Sequence, residues 1–142
     1  MFSKLANSYL INLLVGVHDL LFTHPDLKRN VELKNKYNNK RIFILGSGSS
    51  ILHYDLKVLK NEFVMTQNSF YMHEDICNIE ANFHCVVPYY QSEKEYSTWI
   101  EYIGDMKEKM PSTTFIWGLN TKALIDNRHP DLVKQSYYIR TK

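Results

Sequence analysis

Residues 46 to 50 read Gly-Ser-Gly-Ser-Ser and follow directly on Arg41–Leu45 (RIFIL), a run suited to a buried strand. Gly46 and Gly48 tolerate backbone angles that a side chain penalises, and they let backbone N–H groups come close to an anion. Ser47, Ser49 and Ser50 add hydroxyl donors, and a helix beginning just afterwards would add the positive end of its dipole. The chemistry this combination suits is recognition of a phosphate. The plainer alternative is a strand-to-helix turn that holds nothing.

Two familiar phosphate binders can be set aside. The dinucleotide fingerprint needs G-x-G-x-x-G and an acidic residue about 20 positions on. Here Ile51 stands at the third glycine position, and the next apolar run, Glu62–Thr66, ends in Gln67-Asn68 with no acid for a ribose diol. A P-loop needs Gly-Lys-Ser/Thr, and no lysine follows these glycines.

No residue declares itself as a catalytic base. The histidines are His18, His24, His53, His73, His84 and His129. His129 precedes Pro130 in a loop that could reach a ligand-binding rim, but it reads more simply as surface. His73-Glu74-Asp75 suggests a metal, yet adjacent residues on one segment point in different directions, so a solvated turn fits better and no metal is expected. Cys77 and Cys85 form no C-x-x-C pair and read as two reduced thiols.

The elements that must position the loop follow from periodicity. Arg41–Leu45, Glu62–Thr66, Asn82–Val87 and Thr113–Trp117 read as strands, and residues 136 to 139 (SYYI) begin a fifth. Residues 92 to 109 form the clearest helix, with Ser92 as N-cap, Glu95 at the capping-box position and Pro111 beyond its end. Its stripe of Tyr96, Trp99, Ile100, Ile103 and Met106 faces a core. Residues 51 to 60 are short and mixed and read as one or two helical turns, 71 to 80 as helical or irregular, and 120 to 126 as a short helix.

This alternation predicts an α/β, Rossmann-like fold: a mostly parallel sheet of four to five strands, covered on both faces. Ligands of such sheets bind beyond the carboxyl ends of the strands, so residues 46 to 50, 67 to 70, 88 to 91 and 118 to 120 should line one rim.

Ahead of the sheet, residues 9 to 22 (YLINLLVGVHDLLF) are apolar but broken by Asn12, His18 and Asp19. They fall short of the ~20 residues of a membrane span, and no signal-peptide cleavage site follows. An amphipathic helix docking on the domain, a partner or a membrane surface fits best. His24-Pro25 ends it. Residues 28 to 41 carry six basic side chains against Glu32 alone and read as a solvated basic linker, or as a patch for anionic lipid. The chain thus divides into an N-terminal helix and linker, 1 to 39, and a sheet domain, 40 to 142. A length of 142 residues gives one cored domain, and a net charge of +2 gives no reason to expect nucleic acid.

The stretch IFILGSGSSILHYDLKVLKNEFVMTQNSFYMHED resembles the opening of the family 42 sialyltransferases and the wider group of bacterial surface-glycan enzymes related to them. Members of that group have a strand, a Gly-x-Gly-Pro-Ser loop, a D-L-L stretch and a second strand ending in Asn plus an aromatic pair. Gly46–Ser50, Tyr54-Asp55-Leu56 and Asn68-Ser69-Phe70-Tyr71 stand in that order here, and the resemblance covers roughly residues 40 to 90.

The resemblance implies a Rossmann-like domain that takes a cytidine-monophosphate sugar as donor, with no cofactor. Carried over by position, Gly48 and Ser50 would contact the donor phosphate or ribose, and Asn68 the donor, with Ser47 beside it. The group usually has Asn where Ser47 stands and Pro where Ser49 stands, and the Asn that ends its third strand is Val87 here. Its catalytic histidine lies well downstream, so these residues read as the donor half of a larger, incomplete transferase. The acceptor would be a glycan or glycolipid, in the cytoplasm or at the inner membrane face, and self-association is open. Two alternatives share the frame: a pterin pyrophosphokinase-like nucleotide-binding domain with a similar Gly-x-Gly-x-Ser turn, and a non-catalytic interaction domain.

Overall fold

The computed structural model describes residues 24–87 and 93–141, together with Ile11, Leu13, Leu14 and Val17; for residues 93–97 and 100 it describes the backbone alone. Most of the N-terminal apolar run, rim residues 88 to 91 and the Ser92 cap lie outside the described residues, as do the side chains of Glu95, Tyr96 and Ile100.

Five short apolar runs form five parallel strands: β1 (Ile42–Leu45), β2 (Phe63–Gln67), β3 (Phe83–Val86), β4 (Thr114–Gly118) and β5 (Ser136–Ile139). The fold is α/β and Rossmann-like, and the sheet is wholly parallel. Its strand order is β1-β2-β3-β4-β5, the order of the sequence. Short helical elements and two longer ones accompany the strands. These include α1 (Pro25–Lys28) ahead of β1, α2 (Ile76–Ile79) before β3, α3 (Glu93–Lys109) between β3 and β4, and α4 (Lys122–Arg128) before β5. Residues 51 to 60 make 3-10 turns, Ser49–His53 and Leu56–Leu59, because runs this short close i to i+3 bonds before an α-helix can propagate.

Strand order decides where the core lies. Parallel crossovers are right-handed, so a chain that always steps to the next strand in one direction lays every crossover on one face. Side-chain parity agrees. Leu45, Val64, Val86, Phe115, Trp117 and Tyr138 point to that face and are buried. They share one cluster with Leu56 and Leu59, with Ile76 and Ile79 of α2, Ile103 and Met106 of α3, and Leu124 and Ile125 of α4. Trp117 lies parallel to Phe115, with centroids 5.1 Å apart, and its Nε1 donates to Ser136 Oγ at 2.9 Å across the β4–β5 seam.

The opposite face carries Ile42, Ile44, Phe63, Met65, Phe83, Cys85, Ile116, Tyr137 and Ile139, none of which belongs to that cluster. Cover on both faces was expected; among the described residues this second face is covered only in part, by residues 29 to 37. Tyr37 packs on Phe63 and Phe83 with centroids 4.6 and 5.5 Å away. Arg29 lies over the Tyr137 ring, and Tyr137 donates its hydroxyl to Glu32.

Arg29 corrects the expectation of a solvated basic linker. Its guanidinium donates to the carbonyls of Val133, Lys134 and Ser136, where the chain enters β5. Pro25 opens α1, as proline at a first helical position can, while the His24 ring accepts from the Asp26 amide. Asn39 takes a left-handed φ of 63°, as a turn at Asn38-Asn39 requires.

Candidate functional site

The loop that follows β1 leaves the sheet at its carboxyl rim. Pairing sets Leu45 beside Thr66, so the chain from Gly46 and the chain from Gln67 depart as neighbours. All five residues from Gly46 to Ser50 are exposed. Neither glycine uses a left-handed angle; Gly48 has φ −68° and ψ 147°. A methyl group built on Gly46 would meet nothing within 4 Å, and one on Gly48 only Ser50 Oγ at 3.9 Å. The fold itself therefore has no need of glycine here, and the space their missing side chains leave is open. The helical element after them, Ser49–His53, is one 3-10 turn and supplies little of the dipole a full helix would.

The left-handed angle belongs to Asn68, with φ 49°. Asn is among the few side chains that accept this region. Its Oδ1 accepts from the Val87 amide at 3.4 Å, tying the end of β2 to the end of β3. Asn68 and Ser69 stay exposed, while Phe70 and Tyr71 turn inward and anchor the segment in the core. The predicted set Gly46, Ser47, Gly48, Ser49, Ser50 and Asn68 thus shares one rim.

One row below that rim lies a buried polar pair that motif reading does not single out. His84 is fully buried on β3, its Nδ1 2.7 Å from Thr66 Oγ on β2. The rings of Tyr71 and Phe115 meet it edge-on. Its Nε2 has no hydrogen-bond partner. Burial pushes its pKa down to about 4, with the Asn68 backbone opposing the shift. His84 is therefore a neutral imidazole at ordinary pH. Parity along NFHCVV was the available signal, since His84 shares a face with the buried Val86.

On the far side of the rim, Gly118 ends β4. A Cβ there would lie 2.5 Å from Asn120 Oδ1 and 2.8 Å from Thr141 Cγ2. A side chain there would make the Asn120 and Thr141 side chains move aside. Asn120 also accepts from Thr141 Oγ, and Thr121 donates its hydroxyl to the Gly118 carbonyl. Lys122, which opens α4, is ion-paired with Asp126 and lies 3.7 Å from Asp26, so its charge is already matched.

The other histidines stand elsewhere. His129 ends α4, which starts beyond β4 and runs back to the amino end of the sheet; it does not reach the rim. His73 lies flat against Phe70 and accepts from the Asp75 amide. His53 is exposed one 3-10 turn past the loop. Among the described residues, no three His, Cys, Asp or Glu side chains are grouped to hold a metal ion. Among the same residues, no helix is long and apolar enough to cross a membrane.

No family model matches this chain, and no curated protein or solved structure matches it.

Proposed function

We propose that the carboxyl rim binds the nucleotide of an activated sugar, and that the chain is the donor-binding part of a sialyltransferase-like glycosyltransferase. The observation that carries this reading is the pair of glycines without an internal purpose. Gly46 and Gly48 need no special backbone angle and touch nothing that excludes a side chain. Glycine at such positions makes sense when something outside the chain must approach the backbone closely.

Asn68 supports the same reading. It is the residue the resemblance assigns to the donor, and it stands exposed beside the loop in a backbone conformation that Val87 helps to hold. Recognition would rest on backbone amides, the hydroxyls of Ser47, Ser49 and Ser50, and the Asn68 amide. Cytidine monophosphate is the leaving nucleotide in this reading, and the acceptor is a surface-glycan precursor or its lipid-linked form at the cytoplasmic face of the inner membrane.

Nucleotide crevices in open α/β sheets form where strand order reverses. Among the described residues the strands run one way from β1 and none pairs with its outer edge, so a second half seated there would close the site and bring the catalytic base and acceptor. The donor half is then expected to bind without turning over.

The test is isothermal calorimetry with cytidine, uridine and guanosine monophosphates. CMP should bind preferentially. Gly48→Val should abolish the heat while changing stability by less than about 0.5 kcal/mol, as an exposed substitution does. Asn68→Ala should weaken binding at least about tenfold, the loss of one good hydrogen bond. No heat with any cytidine nucleotide would sink the proposal.

A further inference from the structure

His84 stands where an apolar residue would have been the ordinary choice. Its ring is fully buried on β3, and its Nε2 has no hydrogen-bond partner. A buried polar atom left unpaired costs stability, so packing alone does not account for a histidine here. Nor does Thr66 require one. Its hydroxyl also has the Phe83 carbonyl at 3.4 Å, an acceptor that remains when the ring is gone.

What the ring touches is the chain on either side of Asn68. Before that residue, Thr66 Oγ lies 2.7 Å from Nδ1. After it, the Tyr71 ring meets the imidazole edge-on, with centroids 6.4 Å apart, and is itself buried. Asn68 forms the corner between these two contacts. Pairing of β2 with β3 ends at Gln67 and Cys85, and the 3-10 turn Asn68–Met72 begins at once. The left-handed φ of 49° at Asn68 joins the two pieces, an angle that a residue with a side chain adopts at a cost. His84 thus spans the corner from below, with one contact on the strand and one on the turn. At the top of the corner, Asn68 Oδ1 accepts from the Val87 amide, which leaves Nδ2 as the donor for a ligand.

We propose that His84 is a positioning residue for the nucleotide site: it braces the corner at Asn68, through Thr66 on one arm and Tyr71 on the other, and so presents the Asn68 amide beside Gly46–Ser50. The inference rests on the rim being that site. The ring does not touch the nucleotide; it acts through Asn68. Without the brace the corner samples other angles, and a ligand that needs one conformer binds more weakly in proportion to how seldom that conformer is populated.

Two measurements on the full chain test this. Titration calorimetry with CMP reads the site, and the Asn68 Cα and Cβ chemical shifts read the corner with no ligand present. His84→Phe keeps a ring and removes both nitrogens. Near neutral pH it should leave the urea midpoint unchanged or raised, and it should move the Asn68 shifts away from left-handed values. CMP affinity should fall about fivefold or more, the loss expected when the corner is populated about one-fifth of the time. Thr66→Val removes the arm on β2 and should act in the same direction on affinity and shifts, and it decides alone if His84→Phe does not fold. Thr66→Ser keeps the hydroxyl and should restore both readouts. A pair that served packing alone would lower the midpoint and leave the affinity of the folded protein as it was. Unmoved Asn68 shifts in the folded variants overturn the inference, and so does an unchanged CMP affinity. A wild-type chain that gives no heat with any cytidine nucleotide removes the donor reading by itself, while the shifts still decide whether His84 braces the corner.

Discussion

His84 and the two cysteines show what one side chain's surroundings dictate. In the unfolded chain His84 would titrate near 6.5, and in the fold its pKa is lowered to about 4. The fold favours the neutral ring, so this contribution is complete above pH 6.5, declines as pH falls towards 4, and is gone below. The loss is on the order of 3 kcal/mol for a gap of that size. Urea unfolding at a series of pH values should show a decline over this window that His84→Gln flattens. Cys77 is exposed, whereas Cys85 is half-buried and its thiol pKa is raised by burial. A maleimide or disulfide reagent should therefore label Cys77 well before Cys85, read by peptide mass. At this scale the sequence reading was uneven. The loop Gly46–Ser50 and Asn68 were found by type and order. Asn68's left-handed backbone and the Thr66–His84 pair were not, because both depend on which residues the sheet sets side by side. The conformational reason first offered for the glycines also belonged elsewhere: Asn68 takes the positive angle, and Gly118 meets the tight neighbours.

Elements were the most readable level. All five strands lie within a residue of the runs their apolar patterns indicated, and α3 spans Glu93–Lys109 as the helical stripe required. Period-2 and period-3.6 patterns survive because each element buries one face. Met106, the last residue of the α3 stripe, is fully buried. Met106→Ala should cost about 2–5 kcal/mol in chemical denaturation, the range for truncating a large core side chain. Residues 28 to 41 were less readable. Composition made them a solvated basic stretch, yet Arg29 binds three carbonyls more than a hundred positions away in sequence. No local pattern announces a partner that distant. Arg29→Met keeps the aliphatic stem and removes the donors; it should lower stability by about 2 kcal/mol, since hydrogen bonds from a charged donor are lost and two of the three, to Val133 and Ser136, are part-buried.

For the whole molecule, strand order governs. A sheet running β1 to β5 without reversal has one clothed face and one that depends on residues ahead of β1. Truncation should reveal the difference. A chain beginning at residue 24 keeps Arg29 and Tyr37 and should unfold cooperatively. A chain beginning at residue 41 bares Phe63, Phe83 and Tyr137 and should lose at least about 3 kcal/mol, by the apolar area and charged hydrogen bonds removed; thermal melts of the two would show it. Composition could not foresee this, because a parallel sheet with helices on both faces and one with helices on a single face share the same strand patterns. The Trp117–Ser136 bond has a practical corollary. The chain has two tryptophans. Trp117 is 1% exposed and bridges the last two strands, while Trp99 is only partly buried on α3. Intrinsic emission thus carries two colours of signal, and parting of the final strand can be followed as a red shift from the dry indole without any added dye.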